Sequence, residues 1–175
     1  MVHYPLIRKL SACLVVLSLL GPGSVASEPV KTTLAPLATA DATLTITTSK
    51  EAPENILTTD EIEALQAFQM ITTTPWRTEP TLFAGVLLRD LLEAHGLAEV
   101  PAIVVQAEND YSVEIPRTVW TDTDIMVVTR ANGERISRRE RGPLLFMVDA
   151  DTYETSEILT ESHLVWMVSD IAPAP

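Results

Sequence analysis

Cysteine is almost missing from this chain of 175 residues: the single one is Cys13. It stands beside Arg8 and Lys9 in a short apolar run, Leu10 to Leu20, that is closed by Gly21-Pro22-Gly23 and the small residues Ser24, Val25 and Ala26. This layout predicts a secretory signal peptide over residues 1–26, cleaved near Ala26. A lipid-attachment reading of Leu10-Ser11-Ala12-Cys13 fails on position, because the apolar run follows the cysteine instead of preceding it. The run has about half the length of a bilayer span, so no stable membrane span is expected. With the signal removed, neither a disulfide nor a thiolate ligand remains, and an ordinary hydrophobic core must hold an exported domain together.

Positive charge is scarce as well. Twelve Lys and Arg face 24 Asp and Glu, a formal charge of −12, which becomes −14 once Arg8 and Lys9 leave with the signal. Such a chain lacks the basic face that phosphate backbones require, which excludes nucleic acid as a partner. Histidine is equally thin: only His95 and His163 lie beyond the signal. Two distant histidines do not make a zinc site. No Gly-x-Ser-x-Gly elbow accompanies them, so acyl transfer has no support, and no catalytic residue is assigned. His95, on the apolar side of a helix near its end, is expected to be structural, in a place where the dipole favours a cation. No internal repeat is visible.

What is present reads as one domain of about 149 residues, large enough to bury a core. Residues 27–40, with Pro29 and Pro36, are expected to be a flexible leader. Leu44 and Ile46 alternate with threonines as a first strand. Lys50 to Asn55 reads as a loop, and Thr58 with Glu61 forms a capping box before Ile62, Leu65 and Phe68 on one helical face. A strand over Gln69 to Thr73 follows. Leu87, Leu88, Leu91, Leu92 and His95 predict a short amphipathic helix ended by Gly96, with Leu97 folding back on it. Ala102 to Val105 is a β-branched buried strand; Glu108, Asn109 and Asp110 turn the chain into the alternating strand Tyr111 to Ile115. Ile125 to Thr129 is another strand, and Asn132-Gly133 is a hairpin signal. Leu144 to Val148 and His163 to Ile171 complete seven strands, with an acidic loop from Asp149 to Glu161 between the last two. That loop begins like a calcium loop but has Glu154 where glycine is needed and Thr160 where glutamate is needed, so no metal is assigned. Residues 172–175 should fray. The fold class expected is α+β, a mixed β-sheet domain with short inserted helices.

Four arginines, Arg135, Arg138, Arg139 and Arg141, fall within seven positions before Gly142-Pro143. They make either surface ion pairs or a bidentate site for a small anion. Trp76, after Pro75 in a threonine-rich stretch, is a candidate pocket wall.

Phe83-x-Gly85-Val86-x-Leu88-Arg89-Asp90-Leu91-Leu92, then Asp110-Tyr111-Ser112-Val113-x-Ile115-Pro116, Asp124-Ile125-Met126, Asn132-Gly133-Glu134, Gly142-Pro143-Leu144 and Val165-Trp166 follow one another along the chain. Together they resemble the sulfite-oxidase-type molybdopterin-binding domain over about residues 41–171, and in particular its small, exported, stand-alone members. The resemblance implies a sulfite oxidase fold with a pterin cleft among its loops, and molybdopterin as a possible cofactor. It also implies a molybdenum-ligating cysteine ahead of the Phe-x-Gly-Val motif, where this chain has Ile71, Thr72, Thr73, Thr74, Pro75 and Trp76. A hydroxyl is a poor substitute for a soft thiolate. The histidine that resemblance places before the Gly-Pro turn is Arg141 here, the arginine after it is Leu144 or Leu145, and the basic residue beside the terminal tryptophan is absent. Members that carry the cofactor are exported folded on a twin-arginine signal, a pattern Arg8-Lys9-Leu10-Ser11 does not meet. The expectation is a periplasmic domain, without a bound cofactor, that serves as a binding or sensory accessory module for a small anionic ligand or an unknown periplasmic protein. A molybdopterin-dependent oxidoreductase is the alternative. The ligand cleft is expected around Thr73, Thr74, Trp76, Asn109, Asp110, Tyr111, Arg135, Arg138 and Arg141.

Overall fold

The computed structural model describes residues 27–38, 42–49, 51–74 and 77–175. Eleven strands are described, in two sheets. The first has the order β1 (Val30–Thr32), β4 (Ala67–Thr74), β5 (Arg77–Leu87), β8 (Met126–Ala131) and β10 (Leu145–Met147), all antiparallel, with β9 (Glu134–Arg135) also paired to β8. The second runs β3 (Asn55–Thr58), β2 (Thr43–Ile46), β11 (Val168–Pro173), β6 (Ala102–Ala107), β7 (Ser112–Pro116). Its β2–β11 pair is parallel, which makes this sheet mixed, as the fold-class expectation requires. Four short helices fill the connections: α1 (Thr59–Glu63), α2 (Leu88–Ala94), α3 (Arg117–Asp122) and α4 (Ala150–Thr155).

Alternation explains where the core sits. Val127 and Phe146 join a large cluster with Leu44, Ile103 and Ile171 of the second sheet and with Leu91 and Trp120 of α2 and α3. Their neighbours Met126, Val128, Leu145 and Met147 point the other way, into a second cluster with Phe68, Met70 and Phe83. The first sheet is therefore buried on both faces at β8 and β10, and this is why those strands read as unbroken apolar runs.

Local chemistry fixes several boundaries. The Thr58 hydroxyl accepts the Glu61 N–H while the Glu61 carboxylate accepts the Thr58 N–H, so α1 begins with the expected capping box. Gly96, at φ 74°, ends α2, and the Leu97 N–H donates back to the Leu92 carbonyl at 2.8 Å. Gly85 has a different reason to be glycine: a Cβ there would stand 2.0 Å from the Val127 carbonyl oxygen, at an irregularity where β5 crosses β8. The central residue of the Phe83-x-Gly85-Val86 motif thus allows two backbones to close up.

The structure departs from expectation at both ends of the domain. Within the leader, Val30–Thr32 pairs with β4. At the tail, β11 continues to Pro173 and the Ala174 N–H donates to the Ala102 carbonyl at 3.0 Å. Both segments are ordered by backbone pairing, for which side-chain pattern is not required. Residues 51–55 do not stay a loop throughout, since β3 begins at Asn55, and Phe68 belongs to β4, not to α1. The acidic segment folds into α4, where the Asp149 side chain caps the helix by accepting the Thr152 N–H at 2.9 Å. His163 lies in a 3-10 turn (Glu161–His163), ahead of the last strand.

Candidate functional site

The expected cleft residues are distributed over three places. Thr73 and Thr74, at the end of β4, help wall a cavity of about 310 Å3 with Met147, Val148, Tyr153 and Leu164. Ala150, Glu154 and Glu161 also line it, the two glutamates at its exposed side. The Thr72 hydroxyl accepts the Ala150 N–H at 3.1 Å, which pins α4 over the strand end. One atom here has an anomaly: the Thr74 hydroxyl oxygen is buried and, among the described residues, without a hydrogen-bond partner. An orphaned buried hydroxyl costs roughly 1–3 kcal/mol.

The second place is a cavity of about 250 Å3 across the hairpin, where Thr74 pairs with Arg77. Arg77, Arg139, Glu140, Arg141, Phe83 and Leu145 line it. Arg77 donates to Glu140 at 2.8 Å, and the Ser137 hydroxyl donates to the same carboxylate at 3.0 Å. The serine bond and then the arginine hold the Glu140 carboxyl below the usual range. Arg141 has φ 71°, and its guanidinium lies 4.3 Å from the centre of the Trp166 ring. Met167, also at positive φ (59°), donates its N–H to the Arg141 carbonyl. Two non-glycine residues in left-handed conformations therefore meet beside this cavity, a placement typical of ligand clamps. Arg139 makes no ion pair among the described residues.

The third place holds the remaining arginines: Arg135 and Arg138 line a further cavity of about 350 Å3, and both are engaged in ion pairs. Arg130 donates to both oxygens of Glu63 at 2.9 and 2.5 Å, with side chains only 5% and 6% exposed. Arg135 donates to Glu63 at 2.5 Å and to Asp60 at 2.6 Å, and the Thr129 hydroxyl adds a bond to Glu63 at 2.6 Å. Burial raises the Glu63 carboxyl, but Arg130, Thr129 and Arg135 together bring it below its ordinary value. Arg138 clasps Glu108 bidentately at 2.7 and 2.8 Å in solvent. The turn before β7 is held by its own bonds: the Asn109 side chain accepts the Tyr111 N–H, Asp110 takes φ 66°, and the Tyr111 hydroxyl donates to the Ser162 carbonyl at 3.2 Å. The walls of the first two cavities are built without Asn109, Asp110 or Tyr111. Trp76 lies outside the described residues.

Sequence reasoning passed over Glu63, Arg130 and Arg77. A signal for the first two existed: Arg130 stands in an apolar strand, and a charge there demands a buried partner. The histidines hold structural posts. His95 Nδ1 shares a hydrogen bond with the Asn55 side-chain amide at 3.0 Å, and burial lowers its pKa, against the expected preference for a cation. His163 Nδ1 accepts the Thr160 N–H at 3.3 Å, and burial lowers its pKa too.

Two antiparallel-rich sheets, a core shared between them and a cleft of strand ends and turns define an α+β domain of sulfite oxidase type. The chain matches the family described as oxidoreductase molybdopterin binding domain over residues 25–151, and it belongs to that family. In fold it is similar to the sulfane dehydrogenase SoxCD from Paracoccus pantotrophus, with a TM-score of 0.55 and 17% identity over 79% of this chain and 39% of that one. This chain thus spans about two-fifths of that neighbour. No curated protein matches it.

The described residues do not fit a molybdenum ion held by a protein thiolate. Thr73 and Thr74 offer hydroxyls, not sulfur, and Glu154 and Glu161 in the same wall oppose an anionic pterin phosphate. Among the described residues no group of three or more His, Cys, Asp or Glu is placed to hold a metal ion.

Proposed function

We propose that this chain is an exported, periplasmic domain of the molybdopterin-binding fold that captures a small oxyanion between Arg77, Arg139 and Arg141, and that it serves as a binding or sensory accessory module without molybdenum redox chemistry. A periplasmic partner protein would read the anion-bound form. One observation supports this reading: in a chain of net charge −12, three arginines and, among the described residues, one acidic residue line one cavity, and Arg139 has no ion pair among the described residues. Guanidinium forks match the planar oxygens of carboxylate, sulfate or phosphate. The threonines at the place of the family's cysteine support the absence of redox work.

Family membership favours a second reading, a molybdopterin-dependent oxidoreductase in which arginines and backbone hold the pterin without a thiolate. Molybdenum and pterin analysis of protein purified from the periplasm separates the two. The binding reading expects neither in stoichiometric amount, and one molybdenum per chain overturns it.

A further inference from the structure

The cavity of Thr73 and Thr74 has a composition opposite to that of its basic neighbour. Its apolar wall comes from Met147, Val148 and Leu164, its carboxylates are Glu154 and Glu161, and its one buried polar atom without a partner is the Thr74 hydroxyl oxygen, on a residue 8% exposed. A hydroxyl can accept two hydrogen bonds and donate one. Burying it unpaired is unfavourable, so a group that pairs with it there gains more than the same group does in water.

The two carboxylates decide which group that is. They repel an oxyanion and attract a cation, while the methyl and thioether surfaces suit a short hydrocarbon body. An ammonium carries three donors, enough to serve the Thr74 oxygen and a carboxylate together. From this arrangement we infer that the cavity beside Thr74 is a second binding site, for a small primary amine with an apolar body. At about 310 Å3 it lies at the lower end of small-molecule sites, about 300–1,000 Å3. The inference stands independently of the oxyanion reading, since the two cavities share no lining residue; they adjoin only where Thr74 of one pairs with Arg77 of the other.

Calorimetric titration of the full chain with n-hexylamine, n-hexanol and n-hexanoate tests it. Hexylamine saturates one site, hexanol binds at least about tenfold more weakly, and hexanoate does not bind. Thr74→Val, which keeps the shape and removes the hydroxyl, melts higher than the parent chain and binds hexylamine about fivefold more weakly. Glu154→Gln combined with Glu161→Gln erases the preference for the amine over the alcohol and leaves oxyanion binding at Arg139 and Arg141 intact. Equal binding of the amine and the carboxylate, amine affinity unchanged in both variants, or no saturable amine binding at millimolar concentration each overturn the inference. The last result would mean that water alone satisfies Thr74.

Discussion

Arg130 and Arg135 lie toward one end of the arginine-rich region and Arg139 and Arg141 toward the other, and their surroundings differ in kind. The first pair is locked on Glu63, which is buried with Arg130, while Arg135 is partly exposed and reaches Asp60 at the surface. The second pair lines a cavity in which Glu140 is the one acidic residue among the described residues, already engaged by Arg77 and Ser137. Density of arginine in the sequence is therefore no measure of a site. What decides is whether distant acids fold back onto the guanidinium groups, as they do for Arg77, Arg130, Arg135 and Arg138 and, among the described residues, do not for Arg139.

Glu63→Gln should break this contrast most severely. It leaves Arg130 buried beside a neutral amide, and removing one partner of a buried pair costs about 3 kcal/mol or more. Chemical denaturation of the parent and variant measures it. By comparison, Arg139→Ala should leave unfolding free energy within about 0.5 kcal/mol, because the side chain is exposed and makes no ion pair among the described residues. If Arg139→Ala were as damaging as Glu63→Gln, the two ends would not differ.

The pH dependence sharpens the same point with a smaller effect. The Glu63 carboxyl titrates below its ordinary value in the folded chain, so the unfolded chain binds the proton first as pH falls. The stabilisation is complete above about pH 4.5 and is lost as acid drives protonation of the folded carboxyl. Melting temperature measured from pH 6 to pH 3 should fall steeply for the parent chain and less steeply for Glu63→Gln. Parallel curves would remove Glu63 from the account.

Much of the scaffold was legible where a local physical rule governs it. The capping box of Thr58 and Glu61, the stripe and glycine stop of α2, and the Asn132-Gly133 turn, with Asn132 at φ 51° and Gly133 at φ 85°, are set by residues within a few positions of one another. The long strand β5 was not legible, because Leu82 is on an exposed part while Val86 and Leu87 are buried on both sides, so no single period runs through it. β1 and the end of β11 are made by backbone partners far along the chain. α4 carried a readable cap, Asp149 before Thr152, obscured by its acidity.

The sequence marked residue types that line the cavities, and it did not show how they assemble. Thr73 and Thr74 do line a cavity, and Arg141 lines another, but the partners that neutralise Arg135 and Arg138 lie 72, 75 and 30 positions away. Arg77, which replaces them in the basic cavity, arrives there only because β4 and β5 form a hairpin.

Titration with inorganic phosphate, followed by thermal melting, tests the central claim most directly. At saturating phosphate the parent chain should melt about 5 °C higher. The double variant Arg139→Ala with Arg141→Ala should show no shift, and Arg138→Ala should keep it. A full shift in the double variant, or its loss in Arg138→Ala alone, would contradict the division of the arginines on which the functional reading rests.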